Sequence, residues 1–506
     1  MAENRAINNL RQKVRSYSGY RWLVLVTVAA GMIMAILSSS IVNIALPTIT
    51  AEFGSSINTM TWVVTIFMIT QATLMPVWGR AGDIYGHRKI FIAGLVVFSA
   101  TSIICTVAWD PYSLIAGRAL QAVGASALSP MALAFIYQAF PSRDRAQALG
   151  VMGGVIGSAP VLGLAGGGLL VDAFGWRSIF FIYIPLCALF VPVALLILEE
   201  SGGQDSRGFD VLGGVLLSTG LFSGLLGLNQ GSVWGWTDWR ILACFAVSMA
   251  LLAAFVLHER RTALSLLDLT LLKIRSLASS NIAAFFSSGA MFGSLLLLPY
   301  FFQSILGITP SATGFAIAPL ALMFLLTAPI GGRLTARIGA RLTASIGLMV
   351  SATGFLLLAL QISPEATNLK LAGPILIMGI GLGLTMAPLT TAAVHDVPPD
   401  KRGIASSLPN MSRFIGGSFA IAVFSTVLTS RLAGHLINPG VSADAAAGMT
   451  SSDGEAAVIG NPITREALSA SFRDVFLFAI TFLAISFVVV QFIPRLKYAI
   501  TSGSDR

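Results

Sequence analysis

Two arginines stand inside long apolar runs of the sequence, where a charged side chain is costly. Arg118 lies in a run near residues 112–136, and Arg413 lies in a run near 403–429. A charge at membrane depth normally faces the interior of a helix bundle or a water-filled cavity. Both arginines are therefore candidate substrate-cavity residues. The alternative for each is a structural anchor that donates hydrogen bonds to the carbonyls of a neighbouring helix.

Neutral polar residues accompany the two arginines. Gln121 follows Arg118 by three positions and Asn410 precedes Arg413 by three, so a helix places each pair on one face. The same cavity has further candidate lining residues in the first two apolar runs, and these are Ser38, Asn43 and Gln71. Each of them is also suited to a helix–helix hydrogen bond.

Carboxylates are missing from the middle of the apolar runs, because all 22 acidic residues fall between runs or at their ends. A membrane-embedded enzyme would need clustered His, Cys or carboxylates inside the runs, so the pattern disfavours an enzyme. The three cysteines all lie in apolar stretches and support neither a disulfide framework nor a metal cluster. We therefore expect no cofactor and no metal site.

Proton transfer needs a titratable group, and only a few candidates stand near the apolar runs. Asp172 lies at the outer end of the fifth run, where it could serve coupling or pair with Arg118. His395 and Asp396 lie together at the inner end of the twelfth run. The alternative for this pair is an ordinary solvated loop.

The composition is that of a membrane protein with many spans. Hydrophobic residues make up 55% of the 506 positions, charged residues make up 10%, and the mean hydropathy is +0.83. The net charge of +9 arises from basic residues in short segments between apolar runs. Membrane topology explains that pattern better than a nucleic-acid partner does.

Fourteen apolar runs are long enough to span a bilayer. They lie near 22–46, 59–78, 90–109, 112–136, 147–171, 178–198, 211–230, 239–258, 277–303, 311–330, 342–361, 370–391, 403–429 and 474–494. The sequence thus predicts an all-α polytopic membrane protein of 14 transmembrane helices. We expect six-helix bundles at 1–200 and 263–506, two inserted helices at 201–262, and a long structureless outer loop at 430–473.

The distribution of Lys and Arg predicts the orientation. With both termini on the same side, 23 of the 31 basic residues fall in inner segments and 6 fall in outer segments. Cytoplasmic segments carry such an excess. The chain is therefore expected to be a multi-pass protein of the plasma membrane, the inner membrane in a bacterium, with both termini in the cytoplasm.

A polar stretch after the second run recurs in weaker form. GRAGDIYGHRK at 79–89 resembles the sequence at 332–341, an offset of 253 residues, which indicates two parallel halves. The first copy reads as a tight connection on the inner side, and its candidate gating residues are Gly79, Asp83, Gly86 and Arg88. Asp83 has no acidic counterpart in the second copy, where Ala336 stands.

The fifth run holds eight glycines between positions 150 and 168, with one proline among them. Small residues four positions apart let another helix approach closely, and proline permits bending. The functional interpretation is a hinge between the halves, and the alternative is plain close packing. The gating candidates in this run are Gly153, Gly157, Pro160 and Gly167.

These stretches together resemble the 14-span drug-exporter branch of the major facilitator superfamily over nearly the whole chain. The resemblance is carried by GRAGDIYGHRK after span two, LIAGRALQAVGASAL in span four, GGVIGSAPVLGLAGG in span five and IVNIALPTI in span one. NMSRFIGGS in span thirteen is also similar. The resemblance implies two six-helix bundles that rock around a central cavity.

The resemblance also implies a function, a secondary active exporter of lipophilic small molecules or drugs, driven by protons. In such an exporter, Asp83 would latch the inner gate, with Arg143 and Arg145 as candidate partners. Exporters of this type carry an aspartate in span one where this chain has Ser38, which cannot titrate near neutral pH. The alternative is therefore an exporter or facilitator of lipids or of anionic or neutral amphiphiles without the usual proton site. Membrane lipids and protons are the other expected partners.

Overall fold

Helices account for the regular structure of the chain in the computed structural model. It describes residue 17 and residues 19–200, 210–262, 269–398, 402–437 and 462–494, and no strand occurs in these ranges. They contain fourteen long helices, named α1 to α14 in chain order, which confirms the predicted all-α architecture. Thirteen have a stretch long and apolar enough to cross a membrane, and the other, α5, is 33 residues long.

The first six helices form one consecutive group. They are α1 Tyr20–Phe53, α2 Ile57–Tyr85, α3 His87–Thr106, α4 Pro111–Ala139, α5 Ser142–Phe174 and α6, which has two parts, Ser178–Phe181 and Tyr183–Ile197. Two further helices follow, α7 Val211–Trp234 and α8 Trp239–Glu259. The outer end of the bundle is defined as the end with the α1–α2 connection, and the inner end as the end with the α2–α3 connection.

The last six helices begin after a short 3-10 turn, Leu269–Lys273. They are α9 Arg275–Tyr300, which continues as a π-helical turn Phe301–Ile305, α10 Pro310–Ile338, α11 Ala340–Gln361, α12 Asn368–His395, α13 Arg402–Ile437 and α14 Pro462–Val490. Large apolar side chains on the outside, such as Leu189, Met249 and Met349, are at least 60% exposed. Such a surface suits contact with lipid rather than water.

The predicted connection at 79–89 is helical except at one residue. α2 continues to Tyr85 and α3 begins at His87, so Gly86 alone turns the chain. The predicted tight connection is therefore present but shorter than 79–89, because a helix satisfies its own backbone hydrogen bonds and can extend beyond the apolar core with polar side chains. Gly86 has φ +104°, and Gly339, 253 residues later, has φ +88°. Both copies of the repeat thus use a conformation that favours glycine.

The boundaries predicted for the outer loop, 430 and 473, were also wrong. α13 runs to Ile437 and α14 begins at Pro462, while the middle of the predicted loop lies outside the described residues. Leucine, arginine, glutamate and alanine, which are good helix formers, occur in both extensions or in one of them, so both helices continue past the apolar runs that predicted them. Asp474, expected at the end of a span, therefore lies well inside α14.

Equivalent helix pairs in the two halves pack through glycines. The position of a Cβ on Gly94 would lie 2.9 Å from the carbonyl oxygen of Gly124, which brings α3 against α4. In the second half, a Cβ on Gly347 would lie 2.8 Å from the carbonyl oxygen of Gly381, which brings α11 against α12. Only glycine permits backbones to approach this closely. The packing agrees with the repeat seen in the sequence.

Candidate functional site

Arg118 is enclosed in the first half of the bundle, where it ties α4 to α1 and α2. Its side chain is 0% exposed. Nη1 donates to Ser38 Oγ at 2.8 Å and to Gln121 Oε1 at 2.6 Å, Nη2 donates to the Ser38 carbonyl at 3.0 Å, and Nε donates to the Val63 carbonyl at 3.1 Å. The guanidinium also lies over the ring of Phe67, 4.0 Å from its centre.

This network uses neutral acceptors. The Gln121 amide makes two further contacts. Its Nε2 donates to Ser102 Oγ at 2.7 Å, and its Oε1 lies 3.3 Å from Ser38 Oγ. Every nitrogen of Arg118 already has an acceptor, and two of the acceptors are carbonyls of neighbouring helices. In this conformation the arrangement is that of a structural anchor, because the side chain reaches no open space. A cation stacked on an aromatic face is further stabilised by the ring quadrupole.

Arg413 has a different setting in the second half. Nη1 donates to Asn410 Oδ1 at 2.8 Å, and Nη2 donates to Thr390 Oγ1 at 2.9 Å and points to the Met386 carbonyl at 3.5 Å. The expected pairing of Arg413 with Asn410 is thus present. The side chain is 7% exposed and borders a small cavity between α9, α10, α12 and α13. Of the two arginines, Arg413 is the one that meets a cavity among the described residues.

Two amides in the first half are buried without hydrogen-bond partners among the described residues. Asn43 on α1 is 1% exposed and Gln71 on α2 is 0% exposed, and neither the amide nitrogen nor the amide oxygen of either side chain is bonded. A buried polar group without a partner costs free energy, typically about 1–3 kcal/mol. Both residues were predicted to line the cavity, and in this conformation their amides are enclosed by protein.

The two halves meet at the outer end through polar contacts that the sequence analysis did not single out. Tyr300 OH on α9 lies 3.1 Å from Thr50 Oγ1 on α1. Gln303 Nε2, just beyond it, donates to the Ile44 carbonyl at 2.9 Å. The sequence offered one sign of these contacts, because a tyrosine and a glutamine stand at the end of an otherwise apolar run.

Asp172 makes a third contact between the halves at the outer end. It lies near the end of α5, and its Oδ2 accepts from the backbone nitrogen of Ser311 at 2.9 Å. Ser311 is in the first turn of α10, where backbone N–H groups lack partners within the helix and a negative charge is favourable. The structure does not bring Asp172 to Arg118, whose guanidinium donates to Ser38, Gln121 and Val63 instead.

The glycines of α5 provide the close approach between helices. A Cβ on Gly168 would lie 2.5 Å from the Pro310 carbonyl oxygen of α10, and a Cβ on Gly167 would lie 2.5 Å from Ile41 Cγ1 on α1. Pro160 is buried within the continuous helix, and Gly153 has nothing within 4 Å of its Cβ position. The surroundings of Gly157 lie outside the described residues.

At the inner end, the predicted gating residues form a small polar cluster. Asp83 Oδ1 lies 3.2 Å from His87 Nε2, and His87 Nδ1 lies 3.3 Å from Gln138 Nε2 on α4. His87 was not singled out from the sequence, although it stands four residues after Asp83. The expected partners of Asp83, Arg143 and Arg145, have side chains outside the described part of the chain.

The remaining gating residues surround the single-residue turn. Arg88 Nε lies 3.5 Å from Glu200 Oε2, and a Cβ on Gly86 would collide with the same carboxylate. The Cβ position of Gly79 lies 3.8 Å from Pro130 Cβ on α4, an ordinary contact. Together these contacts fix the inner ends of α2, α3 and α4 to the segment that follows α6.

His395 and Asp396 are hydrogen-bonded to each other at the inner end of α12. His395 Nδ1 lies 2.9 Å from Asp396 Oδ1. The neighbouring Ser276 hydroxyl and the hydrogen-bonded His395 ring hold the pKa of the Asp396 carboxyl below its ordinary value. A carboxyl with a lowered pKa stays ionised at neutral pH, so Asp396 is poorly suited to take up a proton there.

A second histidine–carboxylate pair lies at the outer end and was missed by the sequence analysis. His435 Nε2 on α13 lies 3.0 Å from Asp474 Oδ2 on α14, and Arg431 Nε lies 3.8 Å from the same oxygen. The sequence analysis missed the pair because it assigned His435 to the outer loop and Asp474 to the end of a span. With that loop helical at its ends, the pair joins the outer parts of α13 and α14.

Comparison with known proteins agrees with this architecture. The sequence profile of the Major Facilitator Superfamily matches residues 28–421. The chain is 30% identical over 421 residues to the multidrug transporter protein MdtP of Bacillus subtilis (strain 168), covering 82% of this chain and 77% of the relative. It is 33% identical over 417 residues to the multidrug resistance protein Stp of Mycobacterium tuberculosis (strain CDC 1551 / Oshkosh), again with coverages of 82% and 77%.

A solved structure matches the fold. The crystal structure of a bacterial homolog to the human lysosomal transporter Spinster, in an inward-facing and unoccupied conformation, superposes with a TM-score of 0.67 at 17% identity. The match covers 94% of this chain and 98% of the other. A profile match over most of the chain, a 33% identical relative and thirteen described helices able to cross a membrane agree. The chain therefore belongs to the Major Facilitator Superfamily, as a multi-pass membrane transporter of its drug-efflux branch and not an enzyme.

Proposed function

We propose that this protein exports lipophilic small molecules by alternating access, and that the structure represents its state with the outer end closed. The observation that carries the proposal is the position of the polar contacts between the halves. Thr50 with Tyr300, Ile44 with Gln303, and Asp172 with Ser311 all join the halves at the outer end. A site between two halves that are joined at one end opens toward the other end.

The moving units in this proposal are residues 1–200 and 263–506, with residues 201–262 as an inserted pair of helices. The pair is held together by Ser248, whose Oγ donates to the Gly220 carbonyl at 2.7 Å. It also contacts the first half, because Ser218 Oγ donates to the Thr73 carbonyl at 3.4 Å. Rocking of repeated bundles around a fixed site is a general route to alternating access.

The direction of transport follows from the orientation. Most of the basic residues between the helices lie at the inner end. This excess supports a cytoplasmic location for the inner end and for both chain termini. In the described part of the chain, Arg80, Arg88 and Arg333 all lie toward that end of their helices. Closure at the outer end then corresponds to a transporter that accepts its substrate from the cytoplasm or the inner leaflet.

The substrates are proposed to be drug-like lipophilic molecules. Two of the relatives are named multidrug transporter and multidrug resistance proteins. The cavity beside Arg413 supports the same class, since apolar side chains such as Met291, Phe324 and Leu389 line it. Pockets for drug-sized molecules combine mostly apolar walls with a few polar groups.

The energy source is proposed to be the proton gradient, with Asp172 as the candidate that lies at a contact between the halves. A second possibility is transport without proton coupling. The observation that favours it is the position of Ser38 beside Arg118, where a carboxylate could pair with the arginine but a hydroxyl cannot titrate. The two possibilities predict different responses to a pH gradient.

Reconstitution in liposomes tests the proposal. Efflux of cationic, neutral and anionic lipophilic dyes is measured with and without an imposed pH gradient, beside protein-free liposomes. We expect transport of at least one class, and acceleration by the gradient if protons are the coupling ion. Transport that ignores the gradient for every dye would remove proton coupling. Folded protein that transports no dye would contradict export of lipophilic molecules.

A further inference from the structure

The small cavity of the second half combines one buried cation with apolar walls. Arg413 and the hydroxyl-bearing Ser288 and Thr385 lie on its polar side, and Met291, Phe324 and Leu389 are among its apolar residues. The four helices that form it are α9, α10, α12 and α13. The cavity differs from the Arg118 network of the first half both in its lining residues and in its position between these four helices.

The positive charge of Arg413 has no anionic partner among the described residues. Its hydrogen bonds there go to the amide oxygen of Asn410, the hydroxyl of Thr390 and the carbonyl of Met386. The sequences of the four lining helices contain no aspartate and no glutamate. A buried charge is costly unless it is paired, and these helices provide no carboxylate to pair with it.

A guanidinium presents five N–H donors in a fixed plane, so it can hold a carboxylate or phenolate while it keeps its existing bonds. Arg118 and Arg413 differ in this respect. All three nitrogens of Arg118 are bonded and its side chain is 0% exposed, whereas Arg413 has no described acceptor at Nε and borders open space. The cavity is small, and its size suits one functional group rather than a whole drug molecule.

We infer that the Arg413 cavity is a subsite for the anionic head of a lipophilic substrate, so that this exporter prefers amphiphilic anions over cations of the same skeleton. The apolar walls receive the adjoining part of the molecule. The inference rests on the proposed export function and adds the charge of the substrate. A cationic substrate would meet an unneutralised guanidinium in the same place and be repelled.

The test is a binding assay on the purified, full-length protein without any gradient. Three fluorescent probes share one skeleton: 1-pyrenebutyrate, its neutral amide, and a pyrenebutyl trimethylammonium salt. We expect the unaltered protein to bind the butyrate at least about tenfold more tightly than the ammonium salt, as for one charged hydrogen-bonded contact. Equal or tighter binding of the ammonium salt would overturn the inference.

Substitutions then locate the effect. In Arg413→Gln, the butyrate should bind about 10- to 100-fold more weakly, while the amide changes by less than about threefold. Arg413→Lys keeps the charge without the planar fork and should fall between. The control is Arg431→Gln, which removes an exposed cation from the outer part of the same helix. It should leave the binding of all three probes unchanged.

Each outcome decides the matter. Equal weakening of butyrate and amide in folded Arg413→Gln would contradict an anion subsite. If Arg413→Gln does not fold, the inference is still tested by the binding of the three probes to the unaltered protein and to Arg413→Lys. Preserved butyrate selectivity with no efflux would refute the export function but not the subsite. Efflux of neutral dyes without butyrate selectivity would refute the subsite alone.

Discussion

The carboxylate of Asp172 accepts a hydrogen bond from the backbone nitrogen of Ser311 at 2.9 Å, across the boundary between the two halves. One partner lies near the end of α5 and the other in the first turn of α10. The bond satisfies one of the N–H groups that a helix start leaves without a partner. Because the two helices belong to different halves, the contact must break whenever the outer end opens.

Loss of this carboxylate should therefore favour the open outer end. Since the pair is exposed, we expect Asp172→Ala to shift the equilibrium by only about 0.5–1 kcal/mol, or about 2- to 5-fold. Asp172→Asn keeps an acceptor and should shift it less. The measurement is the labelling rate of Asn43→Cys by a membrane-impermeant maleimide added outside. An unchanged or lower rate in Asp172→Ala would contradict a closing role.

The close approach of α5 to α10 should not tolerate a side chain at Gly168. A Cβ there would lie 2.5 Å from the Pro310 carbonyl oxygen and 2.8 Å from Ser311 Cα, and neither backbone atom can move independently of its helix. We expect Gly168→Val to lower transport by more than about tenfold. The control is Gly166→Val, since nothing lies within 4 Å of that Cβ position. Similar losses in both variants would indicate damage to α5 itself.

Ser38 offers a direct test of proton coupling. A carboxylate at this position would lie within reach of the Arg118 guanidinium, which now donates to the Ser38 hydroxyl and carbonyl. We expect Ser38→Asp to make efflux depend more steeply on the pH gradient, because it adds a titratable group to the bundle. The control Ser38→Asn, which matches the aspartate in shape without its charge, should leave the dependence unchanged. An equal response in both variants would show that the added charge does not couple.

The inner cluster predicts an asymmetry between the two copies of the repeat. Asp83 bonds to His87, whereas Ala336 occupies the equivalent place in the second half. We expect Asp83→Asn to reduce the transport rate severalfold, because a neutral amide oxygen is a weaker hydrogen-bond acceptor for the His87 ring than a carboxylate oxygen is. Ala336→Asn should have little effect. Comparable rates for the two variants in the same liposome assay would contradict a one-sided latch.

The sequence was sufficient for the class, the all-α architecture and the repeat, because long apolar runs and matching glycines are local signals. It also paired Arg118 with Gln121 and Arg413 with Asn410, since residues three apart share a helix face. Local signals fail where a helix continues beyond the apolar core. The stretch after Gly79 and the ends of the supposed outer loop were misassigned for that reason.

Contacts between helices could not be derived from the sequence. Nothing in the run near 277–303 indicates that Tyr300 meets Thr50, 250 positions away. The two intramembrane arginines also looked alike, and their difference depends on tertiary packing. Arg118 is surrounded by acceptors from three helices, while Arg413 is left at the edge of a cavity.

A reversible cross-link at the outer end tests the central claim most directly. Cysteines replace Asp172 and Ser311 and are joined by a short reducible thiol cross-linker. The control replaces Glu52 and Arg177, an ion pair at 2.7 Å within the first half at the same outer end. Alternating access predicts that the first cross-link stops transport, that reduction restores it, and that the control cross-link has no effect. Undiminished transport with the Asp172–Ser311 positions fully cross-linked would contradict the account.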